Sequence, residues 1–274
     1  MMQADILKVG ADSIAVYQSK GRGKPAAFLI HGNSCSSRSY QRQLEGALGE
    51  KFRLAAMDLP GHGQSSPASD PATYSMPGYA RVVAEVAKQL NLTEAVFVGW
   101  SLGGHIALEA TAQLPKAAGW LIFGTPPLAF PPAMTEAFLP NPAMGAAFKP
   151  DLTEDEAAGF AAAMFKPGSP VPDFFLDDIR RTDGQARAQM AASIRPDGYT
   201  DEIAIVANLS APLAVLHGEH EQLVNGAYIS ALKMPTLWRG AVQIVRDAGH
   251  APHWEQPDQF NSLLEAFLLE TAKR

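Results

Sequence analysis

The chain has 274 residues, 47% of them hydrophobic, a single cysteine and a formal net charge of −6 at pH 7. That length suits one large domain, or a core domain carrying an insertion. A net negative chain without a basic cluster argues against nucleic acid as a partner, no apolar run is long enough to span a membrane, and one cysteine cannot form an internal disulfide. The opening stretch MMQADILKVG lacks a basic segment followed by an apolar one, so no secretory signal is expected there and the expected address is cytoplasmic.

Apolar runs alternate with helical patterns along the chain. Ile6–Val9, Ser13–Gln18, Ala26–Ile30 and Arg53–Met57 read as the first four strands. A helix follows, with Tyr79, Val82, Val83, Val86, Ala87 and Leu90 on one face. Ala95–Val98 is the next strand, Gly104–Gln113 has helical spacing, and Gly119–Phe123 is the sixth strand. From about Leu128 to Thr200 the strand signal stops, prolines cluster, and helical patches rich in Ala, Met and Phe follow. Leu213–Leu216 and Val242–Val245 resume the strands, and Phe260, Leu263, Leu264, Phe267 and Leu268 share the face of a last helix. The middle strands are nearly continuous apolar runs, as in strands covered on both faces. The pattern predicts an α/β fold: a mostly parallel, eight-stranded, doubly wound sheet, with residues 1–127 and 201–274 as core and 128–200 as a helical cap or lid inserted after the sixth strand.

Gly99-Trp100-Ser101-Leu102-Gly103 fits G-x-S-x-G between a strand and a helix. A nucleophile on so sharp a turn needs small neighbours two residues away on either side, and the N–H groups at the helix start favour a developing negative charge. Serine needs a base, and the chain order of such sites is serine, acid, histidine. His250, in RDAGHAPHWEQP after the last strand, is the expected base; His253 reads as a wall residue. The acid is expected after the preceding strand, in HGEHEQLV, where Glu221 fits better than Glu219. Backbone N–H groups of Asn33 and Leu102 are the expected oxyanion donors, with Gly32 allowing close approach, Asn33 also available to the substrate and His31 stabilising the turn. Gly32, Asn33, Trp100, Phe138, Phe160 and Met164 are the candidate substrate contacts. The Met and Phe residues of the insertion read equally well as acyl pocket or as plain cap core. The H-x-x-H pairs His217/His220 and His250/His253 supply only two ligands each, thin for zinc, so neither a metal nor another cofactor is called for.

HGNS at 31–34, DLPGHGQS at 58–65, GWSLGG at 99–104 and DAGHAP at 247–252 together resemble the α/β-hydrolase superfamily. With YSMPGYA at 74–80, GTPP at 124–127, RTDGQAR at 181–187 and LWRG at 237–240 added, the chain resembles the metal-independent N-acyl-homoserine lactonases of that fold. The resemblance implies a Ser–Glu–His triad matching Ser101, Glu221 and His250, and opening of the lactone ring of bacterial quorum-sensing signals (quorum quenching). The expected partner is thus a small ester or lactone, with neither nucleic acid nor membrane. A broad carboxylesterase or a C–C bond hydrolase would use the same residues, and a non-catalytic receptor is the weaker alternative.

Overall fold

The computed structural model describes residues 3–273. Eight strands form one sheet: β1 (Asp5–Val9), β2 (Asp12–Gln18), β3 (Gly23–Ile30), β4 (Phe52–Met57), β5 (Val96–Trp100), β6 (Gly119–Phe123), β7 (Leu213–Gly218) and β8 (Gln243–Val245). Their spatial order is β1-β2-β4-β3-β5-β6-β7-β8. β2 pairs antiparallel with β1 and β4, and every other pairing is parallel. This is the mostly parallel, eight-stranded sheet that the sequence pattern predicts, in the α/β-hydrolase arrangement that the resemblance implies.

Side-chain alternation divides the core into two layers. Phe28, Ile30 and Phe97 face one layer with the helices Met76–Gln89 and Leu102–Glu109. Ala27, Leu29, Val96 and Val98 face the other, with Phe260, Leu264 and Phe267 of the helix Pro257–Thr271. Both faces of the central strands are therefore dry, which is why their sequences are apolar without alternation.

At their C-terminal ends two strands run further than the pattern predicts, and both extensions lead towards site residues. β5 continues through Gly99 and Trp100, which pair with Ile122 and Phe123, so the strand delivers the chain directly to Ser101. β7 continues to Gly218, paired with Val245. Glycine and tryptophan disguised the first end, and His217-Gly218 the second. The helix after Ser101 starts earlier than its apolar spacing suggests, at Leu102, and gives way to a 3-10 turn at Ala110–Ala112.

Between β6 and β7 the described residues contain no strand. Short helical segments fill the interval, including Pro142–Phe148, Glu154–Ala163, Asp173–Arg181 and Gly184–Ala192. Thr153 and Glu156 form a reciprocal capping box at one helix start. Arg187, buried beneath the segment, binds the carbonyls of Lys149 and Pro150 and the Ser34 hydroxyl, tying the segment to the loop after β3. Tyr74 adds a second tie through its hydroxyl, which donates to Asp183 at 2.6 Å. These contacts account for the arginine of RTDGQAR and the tyrosine of YSMPGYA.

Candidate active site

Ser101 sits at φ +53°, ψ −120°, a conformation that side chains other than glycine rarely take. Its N–H donates to the Phe123 carbonyl at 2.9 Å, and its own carbonyl accepts from the Thr125 hydroxyl at 2.8 Å. The small flanking residues are a steric requirement. A Cβ on Gly99 would lie 2.3 Å from the Gly103 carbonyl oxygen, and one on Gly103 would lie 2.2 Å from that of Ile30. The turn thus projects Ser101 from the end of β5 into a cavity that His250 also lines.

His250 stands on the loop after β8. Its backbone carbonyl accepts a hydrogen bond from the Trp100 indole at 2.8 Å, so the residue before the serine also anchors the histidine. Nδ1 lies 2.8 Å from Glu221 Oε2. The other carboxylate oxygen of Glu221 accepts from the Leu223 N–H at 2.8 Å. With the Nδ1 proton on the carboxylate side, Nε2 is left as the proton acceptor, and it has no protein partner among the described residues. Burial opposes the charge of Glu221, but the neighbouring His250 and the hydrogen bonds from His250 and Leu223 outweigh it and hold the pKa below the usual carboxylate value. Glu219 is about half exposed and accepts only from the Asp247 amide, at 2.9 Å. The structure thus brings Glu221, not Glu219, to the histidine.

The loop after β3 packs against the serine turn. A Cβ on Gly32 would lie 3.2 Å from the Ser101 Cβ. Neither Asn33 N–H nor Leu102 N–H donates a hydrogen bond among the described residues, and both residues line the cavity. The Asn33 side chain has a structural duty as well: one amide N–H donates to the Ala147 carbonyl at 2.9 Å and its oxygen accepts from Ser34, bracing the helical segment above the loop, while the residue still lines the cavity.

The rest of the cavity is apolar. Phe138, Phe160 and Met164 line it as expected, together with Met134, Met144 and Phe148. Phe165, Phe174 and Phe175 do not; they pack on one another and on Trp254. The insertion's apolar residues thus divide between cavity wall and packed core. Sequence reasoning missed Met76, Leu128, Ala147, Met190, Ile194, Leu223 and His105, which complete the wall. His105 lies one helical turn after Ser101, and its Nδ1 is 2.9 Å from both oxygens of the fully buried Glu202. A histidine four residues after the serine was the available signal; its partner on a distant helix had none.

Three other histidines, His31, His220 and His253, do not line the cavity. His31 Nδ1 donates to the Gly32 carbonyl and Nε2 accepts from the Leu59 amide, bridging the β3 and β4 turns, and burial lowers its pKa to about 4. His253 is boxed by Tyr40, Trp100 and Phe123, with ring centroids 4.6 to 5.0 Å away and no hydrogen bond to either nitrogen. His220 is half exposed beside Glu219. Among the described residues no group of three or more His, Cys, Asp or Glu is placed to share a metal ion.

Residues 27–263 match the family model described as the alpha/beta hydrolase family. Two solved structures of the N-acyl homoserine lactonase AidH superpose with a TM-score of 0.95 at 37% identity. One, a serine-to-glycine mutant complexed with N-hexanoyl homoserine lactone, is matched over 99% of both chains; the other, complexed with N-butanoyl homoserine, over 100% of this chain and 98% of that one. Among curated proteins, the pimeloyl-[acyl-carrier protein] methyl ester esterase of Xanthomonas axonopodis pv. citri is 30% identical over 89% of this chain and 95% of its own length. The biotin biosynthesis bifunctional protein BioHC of Cellvibrio japonicus is 29% identical over 89% of this chain, which spans 47% of that longer protein.

Proposed function

Because this chain belongs to the alpha/beta hydrolase family and is an enzyme acting on ester bonds, we propose that it opens the lactone ring of N-acyl-homoserine lactones, with Ser101, His250 and Glu221 as its triad. The observation that carries this reading is the likeness to AidH over nearly the whole chain, helical segment included. Residues 128–200 act as a cap, whose apolar side chains shelter the acyl group in the cavity above Ser101. One fully buried cysteine, Cys35, accords with a cytoplasmic address and a quorum-quenching role there.

In this reading His250 Nε2 takes the Ser101 proton as the serine oxygen attacks the ring carbonyl. The unpaired N–H groups of Asn33 and Leu102 receive the oxyanion. Glu221 fixes the tautomer of His250 and stabilises its imidazolium. His250 then gives its proton to the departing ring oxygen. The alcohol so released stays tethered to the acyl-enzyme and competes with water for the same carbonyl. Water activated by His250 prevails only when the alcohol swings away from Ser101.

The test is a matched screen of N-acyl-homoserine lactones against linear esters. Mass spectrometry is expected to show a product heavier than the lactone by one water, with lactone regenerated on acidification. Release of free homoserine lactone and a fatty acid overturns the reading in favour of an acylase. Much faster turnover of linear esters favours the second reading, a carboxylesterase, which the curated methyl ester esterase relatives support.

A further inference from the structure

We infer that His105 is a specificity-determining residue: its Nε2 accepts a hydrogen bond from an N–H group carried next to the scissile carbonyl, so the site selects acylamino esters and lactones over plain ones. The inference rests on the cavity above Ser101 being the ester or lactone site.

Three observations carry it. First, the cavity is lined almost wholly by hydrocarbon and thioether side chains. Apart from Ser101 and His250, its polar side chains are Asn33 and His105; the Asn33 oxygen already accepts from Ser34 and one of its N–H groups is held by Ala147, so what it has left to offer is chiefly a donor. Second, the contact between His105 and Glu202 uses one ring nitrogen only. Nδ1 faces both carboxylate oxygens at 2.9 Å, while Glu202 also accepts the Leu128 N–H at 2.8 Å. The structural duty of bridging the helix Leu102–Glu109 to the helix Glu202–Asn208 is complete without Nε2. That atom has no hydrogen-bond partner among the described residues, and the ring that carries it lines the cavity. Third, the carboxylate dictates the tautomer. It accepts the Nδ1 proton, so the neutral ring presents a lone pair at Nε2, and the complementary ligand group is a donor.

The placement suits a donor close to the reacting centre. Four residues of helix separate Ser101 from His105, a rise of about 6 Å. In an N-acyl-homoserine lactone the amide nitrogen is bonded to the carbon that bears the ring carbonyl, one atom from the point of attack. A substrate without that N–H leaves an acceptor stranded in an apolar pocket. A site built around a polar contact discriminates against the analogue lacking it far more strongly than an apolar pocket distinguishes one methylene.

The experiment uses two substrate pairs of matched length, each with and without the N–H. One pair is an N-acyl-homoserine lactone and an α-alkyl-γ-butyrolactone. The other is the methyl ester of an N-acyl amino acid and that of a 2-alkyl fatty acid. Wild-type enzyme is expected to favour the N–H member by about tenfold or more in kcat/KM, chiefly through KM. His105→Met is expected to bring the ratio near one by weakening only the N–H member. His105→Gln, whose amide donates to Glu202 while its oxygen faces the cavity, is expected to keep most of the preference. A wild-type ratio near one overturns the inference, as does equal loss of both members in His105→Met, or loss of the preference in a folded His105→Gln. If lactones are inert and esters are hydrolysed, the lactonase reading fails, while the ratio within the ester pair still decides the role of His105.

Discussion

Replacing Glu221 with glutamine changes one atom and removes one buried charge. The carboxylate receives two hydrogen bonds, from His250 Nδ1 and from the Leu223 amide, each at 2.8 Å. In Glu221→Gln the amide oxygen is able to keep the Leu223 N–H, so the loop after β7 retains its shape. The amide NH2 then faces His250, and the ring meets it with an unprotonated Nδ1. The proton moves to Nε2, the atom that takes the serine proton in the proposed mechanism. The buried charge that stabilises the imidazolium is lost in the same step. Together these are expected to lower kcat by about 10³- to 10⁴-fold, or about 4 to 5.5 kcal/mol of barrier. Glu219→Gln serves as the control, since Glu219 is half exposed and reaches only a backbone amide. The assay is initial-rate hydrolysis of a chromogenic ester, paired with a thermal melt to establish that each variant is folded. A folded Glu221→Gln enzyme within tenfold of wild type, or equal losses at the two glutamates, would refute the reasoning. A pH signature goes with it. The pKa of Glu221 is lowered in the folded enzyme, so its contribution to stability is full above the ordinary carboxylate pKa and lost as pH falls through the lowered value. The glutamine variant should lack that acid-side loss.

Ser101→Ala should lower kcat by several orders of magnitude with the melt unchanged, and a serine-directed phosphonate should label Ser101 in the wild type; combining it with His250→Ala should cost little more than either alone, because the pair acts as a unit, and additive losses would contradict that. His253→Leu should keep activity close to wild type and raise stability by about 1 kcal/mol, because it removes a buried imidazole without hydrogen bonds from an aromatic box; denaturant unfolding measures it. Asp178, which accepts from Ser36 at 2.5 Å and pairs with Arg38, has its carboxyl pushed up to about 6, first by burial and further by Asp58. The native state therefore holds a proton that the unfolded chain has released between the ordinary value of about 3.9 and that pKa. Stability should fall as pH rises through this window, and Asp178→Asn should flatten the slope in melts taken across it.

The order of strands and helices was legible in the sequence because burial on both faces leaves apolar runs with nothing polar between them. Gly99 and Gly103 were legible for a steric reason, since a Cβ on either would fall within 2.3 Å of a carbonyl oxygen, and they mark the serine between them. His250 followed from its place after the last strand, and Glu221 from its distance past the β7 turn. Such features are local, or repeat at fixed order along the chain. Tertiary structure decided the rest. It tied the Asn33 side chain to Ala147, 114 residues away, and sorted the insertion's Met and Phe residues into cavity wall and packed core. It also paired Nδ1 of His105 with Glu202 across 97 residues and set the ring in the cavity wall. No period or spacing encodes these contacts, because a side chain's partner depends on which elements fold over it.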